Sequence, residues 1–86
     1  MIHDLKIKEC YLIHILEGKK TFEVRLNDRD YQIGDKIHFL PLEDDRYNVF
    51  DLKCPIPHYL ITYAHSHFGM EGRFVVLGIE EVVADD

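Results

Sequence analysis

The sequence predicts a mostly β member of the α+β class: a small pseudo-β-barrel of about five to six strands with one early α-helix. Three observations predict it. Short segments that alternate apolar and polar residues recur along the chain. Only one early segment follows the 3.6-residue period of a helix. The chain has 86 residues, which is one domain's worth. So many strands in so short a chain suit a closed or strongly curled sheet that hides its edges.

The elements follow in order. Ile2 to Ile7 alternates, with His3, Leu5 and Ile7 facing one way and Asp4 and Lys6 the other. That is a half-buried strand, and His3 on its apolar face reads as a hydrogen-bonded core histidine. Glu9 to Glu17 reads as the helix. Tyr11, Leu12, Ile15 and Leu16 fall on one arc, and Glu9 sits in the first turn, where the helix dipole favours a negative charge. Gly18 follows where a helix stops with a left-handed residue. Thr21 to Leu26 alternates again. Apolar Phe22, Val24 and Leu26 are expected toward the core, and Thr21, Glu23 and Arg25 toward water.

Asn27-Asp28-Arg29-Asp30 is a run of turn formers. Tyr31 to Asp35 then leads through a Gly34-Asp35 turn into a strand over Lys36–Leu42. Glu43-Asp44-Asp45 reads as solvated loop, and Tyr47 to Leu52 as a hairpin arm. Pro55 and Pro57 exclude their stretch from a central strand. Tyr59 to Tyr63 resumes a strand of aromatic and β-branched residues. Ser66 to Gly72 is loop. Arg73 to Val83 is a nearly continuous apolar run, expected to be a strand buried on both faces. Ala84-Asp85-Asp86 is a frayed tail. With no repeat and no linker, residues 1–86 form a single domain.

Composition narrows the function. The chain is 47% hydrophobic and 30% charged, an ordinary globular balance. Its formal net charge of −6 argues against a protein that coats nucleic acid by neutralising many phosphates. The charge is unevenly spread. Residues 1–40 hold seven Lys/Arg against seven Asp/Glu; residues 41–86 hold three against nine. An anion site is therefore expected in the first half. The N-terminal MIHDLKIK carries no signal-like apolar run, so a cytoplasmic location with Cys10 and Cys54 reduced is expected. No apolar stretch reaches the roughly 20 residues that span a bilayer, and no membrane partner is expected.

Gly18-Lys19-Lys20-Thr21-Phe22-Glu23-Val24-Arg25 resembles the signature of ASCH domains, in the PUA-like group. More narrowly, the chain resembles a small prokaryotic and phage family of unknown function within that group. The likeness runs through His3-Asp4-Leu5-Lys6-Ile7, Lys20 to Asp30, Ile33-Gly34-Asp35, Ile61-Thr62-Tyr63 and Phe74 to Ile79. Glu43 to His58 departs from the pattern. The resemblance implies a PUA-like pseudo-barrel with a cleft lined by the signature, and an association with RNA. One enzymatic branch that is similar over this signature hydrolyses the acyl group of N4-acetylcytidine. Its catalytic lysine would fall on Lys20. Its catalytic threonine would fall on Glu23, so the two sequences part there.

The candidate site follows from these residue types. Lys20, Glu23, Arg25 and Arg29 bring three cations and a carboxylate onto adjacent elements. An arginine fork suits a phosphate, and a carboxylate accepts from the amino group of cytosine. Tyr31 and His3 offer rings for an unpaired base. Thr21, Asn27 and Asp28 are supporting candidates, with Asp28 set to hold Arg25 or Arg29. The plainer alternative makes Glu23 and Arg25 an ion pair on a wet face, worth about 0–1 kcal/mol. Catalysis by Lys20 and Glu23 would need a lysine of depressed pKa, by burial or by a cationic neighbour; a solvated lysine is the expectation.

The expected function is thus a binding module for single-stranded RNA or a nucleotide-like ligand, leaning away from an enzyme and implying no cofactor. The alternatives are a protein-interaction domain that uses acidic residues 43–45, and a nucleoside amidohydrolase. His65 and His67, with Cys54 or His58 near, form too few ligands for a closed metal site, so no metal is expected.

Overall fold

The computed structural model describes residues 1–42, 55–66, 69 and 72–83. Five strands and one helix lie among them: β1 (Ile2–Lys8), α1 (Glu9–Leu16), β2 (Phe22–Leu26), β3 (Lys36–Leu42), β4 (Tyr59–Ser66) and β5 (Phe74–Glu81). The acidic residues 43–45, the hairpin arm expected over 47–52, Cys54 and His67 lie outside the described residues. The strands form one mixed sheet in the order β1-β3-β4-β5-β2. β1 and β3 are parallel, and the other neighbours antiparallel. The mostly β architecture with an early helix is the one that the sequence predicts.

β1 alternates as expected, with His3, Leu5 and Ile7 buried. It runs directly into α1, which packs on β1 and β3. Leu12, Ile15 and Leu16 bury into the core, while Tyr11 stays about half exposed. The expected apolar arc is thus narrower than the sequence suggests. Glu9 takes a place on the buried face, with Oε2 unpartnered among the described residues. Its position in the first turn, where N–H groups carry partial positive charge, makes that burial tolerable. Gly18 has φ +79°. The chain wraps there so that the N–H groups of Lys19 and Lys20 both donate to the His14 carbonyl, at 2.9 and 3.0 Å. This is the left-handed helix stop that the sequence signals.

β2 corrects the expectation. Phe22, Val24 and Leu26 are exposed, whereas Glu23 is buried and Arg25 partly so. The pairing with β5 sets this. Glu23 lies opposite Leu77 and Arg25 opposite Val75, both on the core side of β5. A one-residue slip would turn every side chain over, so the ladder commits the charged face inward.

β4 runs to Ser66, further than the sequence suggests, and bulges at Thr62: Ile61 pairs with Ile79, and Tyr63 with Gly78. A Cβ at residue 78 would meet the Tyr63 Cβ at 3.1 Å, so the bulge calls for glycine there. β5 alternates between buried and half-buried residues and so is not buried on both faces, because the outer side of the sheet carries no covering layer among the described residues. Phe39, Leu5, Leu12, Ile37, Ile61 and Leu77 fill the centre of the core. No described helix is long and apolar enough to cross a membrane.

Two histidine clusters brace β3. His3 Nε2 lies 2.8 Å from Asp35 Oδ2, and its ring packs on Tyr31 at 4.8 Å. The His3 bond holds the Asp35 carboxyl below its usual range. His38 pairs with Asp4 at 3.3 Å and meets the His58 ring at 5.0 Å.

Burial pushes the Tyr59 hydroxyl up to about 12, and the Glu81 carboxylate adds to the shift. An unfolded tyrosine titrates near about 10. The raised folded value means that stability is fully present below pH ~10 and is lost as pH climbs toward about 12. Urea midpoints across that window are expected to fall, and Tyr59→Phe to shrink the fall. An equally steep fall in the variant would remove Tyr59 as its cause.

Candidate functional site at the seam between β1 and β2

β1 and β2 are the two edges of the sheet. Among the described residues each has backbone groups with no ladder partner on its outer side, which demand partners. Arginines supply them. Arg25 Nη1 donates to the Lys6 carbonyl at 2.9 Å, and Arg29 Nη1 donates to the Asp4 carbonyl at 3.2 Å. The sheet therefore curls until its edges meet, and side chains close what a backbone ladder does not.

The same Arg25 nitrogen lies 3.2 Å from Glu23 Oε2. Lys20 Nζ lies 3.0 Å from Glu23 Oε1. Glu23 is only 4% exposed, and a buried carboxylate persists only when it is paired and hydrogen-bonded. This corrects two expectations. The Glu23–Arg25 pair exists, but not on a wet face, and Lys20 is not a solvated lysine. Three features place the Lys20 ammonium: the wrap after Gly18, the Glu23 carboxylate, and the rings of Tyr11 and Phe22, each 5.3 Å from Nζ. Both ring distances fall within cation–π range.

Arg25 divides the seam into two cavities. One, of about 390 Å³, is lined by Lys6, Ile7, Lys8, Tyr11, Lys20, Glu23, Val24, Arg25 and Leu42. It sets four cations around one buried carboxylate, in a chain of net charge −6. The other, of about 280 Å³, is lined by Leu5, Val24, Arg25, Leu26, Asp28, Arg29 and Tyr31. Tyr31 is buried, and burial raises its hydroxyl pKa; nearby Asp28 adds to the rise, while Arg29 and Arg25 oppose it.

The expected site residues therefore sort by position. Lys20, Glu23, Arg25 and Arg29 converge on the seam. Tyr31 reaches it as a buried wall, not as an open stacking platform. His3 is removed from it, because its ring is buried against Tyr31 and its Nε2 is committed to Asp35. Asp28 lines the smaller cavity but forms no ion pair with Arg25 or Arg29 among the described residues. Asn27 acts through its backbone, donating to the Arg73 carbonyl at 2.7 Å, and Thr21 through its carbonyl, which accepts from Ile79. Sequence reasoning missed Tyr11, Lys6 and Lys8. Tyr11 looked like core, and the outward position of the two lysines on β1 was the available signal. Among the described residues no three His, Cys, Asp or Glu side chains are grouped to hold a metal ion; His65 lies on β4.

Residues 2–79 match the family described as a domain of unknown function, DUF3850. No curated protein matches the chain.

Removing one partner from a buried ion pair costs about 3–5 kcal/mol. Lys20 and Arg25 keep some contact with water, so Glu23→Ala is expected near the low end, about 3 kcal/mol. Val24→Thr, on the outer face, is expected within about 0.5 kcal/mol of wild type. Urea unfolding of both variants tests this inverted strand. A larger loss at Val24 than at Glu23 would contradict it.

Proposed function

We propose, for a chain that belongs to the DUF3850 family, that it is a binding module for single-stranded RNA or a nucleotide-like ligand, held at the β1–β2 seam. One observation carries this reading: a buried carboxylate at the wall of a cavity whose other charged residues, among those described, are Lys6, Lys8, Lys20 and Arg25. The cations suit phosphate. Glu23 suits an exocyclic amino group such as that of cytosine, since each carboxylate oxygen can accept more than one bond. Tyr11, about half exposed beside Lys20, offers the ring face on which an unpaired base stacks. We further infer that the fold is the PUA-like barrel of ASCH domains. The Gly18-to-Arg25 signature and a curled sheet that closes on that signature support the assignment.

A second reading is favoured by the Lys20–Glu23 contact of 3.0 Å. A lysine and a carboxylate in hydrogen bond at a cavity wall can exchange a proton, as amide hydrolysis of an acylated nucleoside requires. Water would add across the amide bond, releasing carboxylate and free amine. Incubation with N4-acetylcytidine and chromatography for cytidine tests it. No turnover, or turnover unaffected by Lys20→Ala, excludes that substrate.

The binding reading predicts saturable anisotropy with a fluorescent hexacytidylate. Arg25→Ala is expected to weaken it at least tenfold. With one or two phosphates engaged, the logarithmic salt slope is expected between about −0.7 and −1.4. Unchanged affinity in the variant, or a slope steeper than about −3.5 (five phosphates), would overturn a narrow site on this seam.

A further inference from the structure

The two cavities repeat one composition. The larger holds a tyrosine, a carboxylate and a cation in Tyr11, Glu23 and Lys20. The smaller holds the same three types in Tyr31, Asp28 and Arg29. Arg25 belongs to both. At about 390 and about 280 Å³, they lie near the lower limit of roughly 300–1,000 Å³ for small-molecule sites. Each has room for one nucleoside and little more.

We propose that the seam takes two adjacent nucleotides of RNA, one nucleoside in each cavity, with the phosphate that links them on Arg25. This rests on the nucleotide reading above and deepens it. The guanidinium has five donors in a planar fork. Lys6 and Glu23 engage only Nη1, and the remaining donors serve a phosphate at the boundary between the cavities. Spacing decides how the bases sit. Glu23 and Leu26 line different cavities and stand three residues apart on β2, roughly 10 Å at about 3.3 Å per residue. A stacked step rises only about 3.4 Å, so the bases are held apart. Splayed, unstacked bases are the form in which proteins read single-stranded RNA. Asp28 then accepts from a ribose hydroxyl or a base amino group in the smaller cavity, as Glu23 does in the larger.

The shared chemistry is a phosphate-linked pair of nucleosides, whether free or within a strand. Isothermal titration of the full chain with cytidine 5′-monophosphate, the dinucleotide cytidylyl-cytidine and hexacytidylate separates the cases. The dinucleotide is expected to bind at least tenfold more tightly than the monophosphate. Arg29→Gln, a change in the lining of the smaller cavity, is expected to bring the dinucleotide down to the level of the monophosphate. Circular dichroism and a urea midpoint like that of wild type report that the variant is folded. Hexacytidylate as tight as the dinucleotide assigns the pair to a strand; weaker hexacytidylate assigns it to a free dinucleotide. Equal affinity for monophosphate and dinucleotide, or an Arg29→Gln variant that weakens both alike, overturns the two-cavity proposal and leaves the nucleotide reading standing. Absence of binding to all three overturns both.

Discussion

A single nitrogen, Arg25 Nη1, joins two constraints that the fold must meet together. It donates to the Lys6 carbonyl on one edge of the sheet and to the Glu23 carboxylate on the other. The first contact satisfies a backbone acceptor that would otherwise stand at an open edge. The second neutralises a charge that burial would otherwise make costly. One atom thus serves both constraints, with Arg29 adding a second bridge to the Asp4 carbonyl and Lys20 a second partner for Glu23. The cavities are a by-product of this closure: side chains bridge the edges at points and leave space between those points.

This arrangement explains how an acidic chain presents a basic recess. Lys6 and Lys8 come from β1, Lys20 from the wrap after α1, and Arg25 from β2. Lys6 and Lys8 share one strand, but sequence spacing alone does not bring them to Lys20 or Arg25. Parallel pairing of β1 with β3, and antiparallel pairing of β2 with β5, put β1 and β2 at the two ends of the strand order, and the arginine bridges bring those ends together. The acidic excess of the chain lies after residue 40, and none of its described members lines either seam cavity. Net charge thus says little about the local field, which depends on which few side chains a low-dielectric recess gathers.

Much of the fold was legible in the sequence, and the reasons are specific. β1 and β3 alternate, α1 has an apolar stripe, and Gly18 and Gly34 both take positive φ where a stop or turn was signalled. The candidate cations and Glu23 were legible because the types fit a purpose and cluster within ten residues of the signature. The polarity of β2 was not. Its alternation defines two faces but does not say which is inside, and apolar residues are normally inward. The ladder with β5 overrides that preference, at a cost offset by the Lys20 and Arg25 contacts with Glu23. The positions of His3 and Tyr31 were half legible. Their ring types suggested stacking on a base, and instead the two rings pack against each other, tilted by 55°.

The strand order carries a kinetic consequence. β2 reaches its place only by pairing with β5, so Glu23 waits for Leu77, and Val24 for Val76. Such non-local pairings must bear loop-closure entropy before any contact rewards them, which puts sheets of this kind among slow folders, on the order of milliseconds to seconds. The seam therefore requires β5 to be in place opposite β2. A nascent chain that has emerged only through β4 holds every residue of both cavities yet has no recess, because nothing fixes β2 opposite β1. The recess is thus a property of the whole sheet and not of the segments that line it.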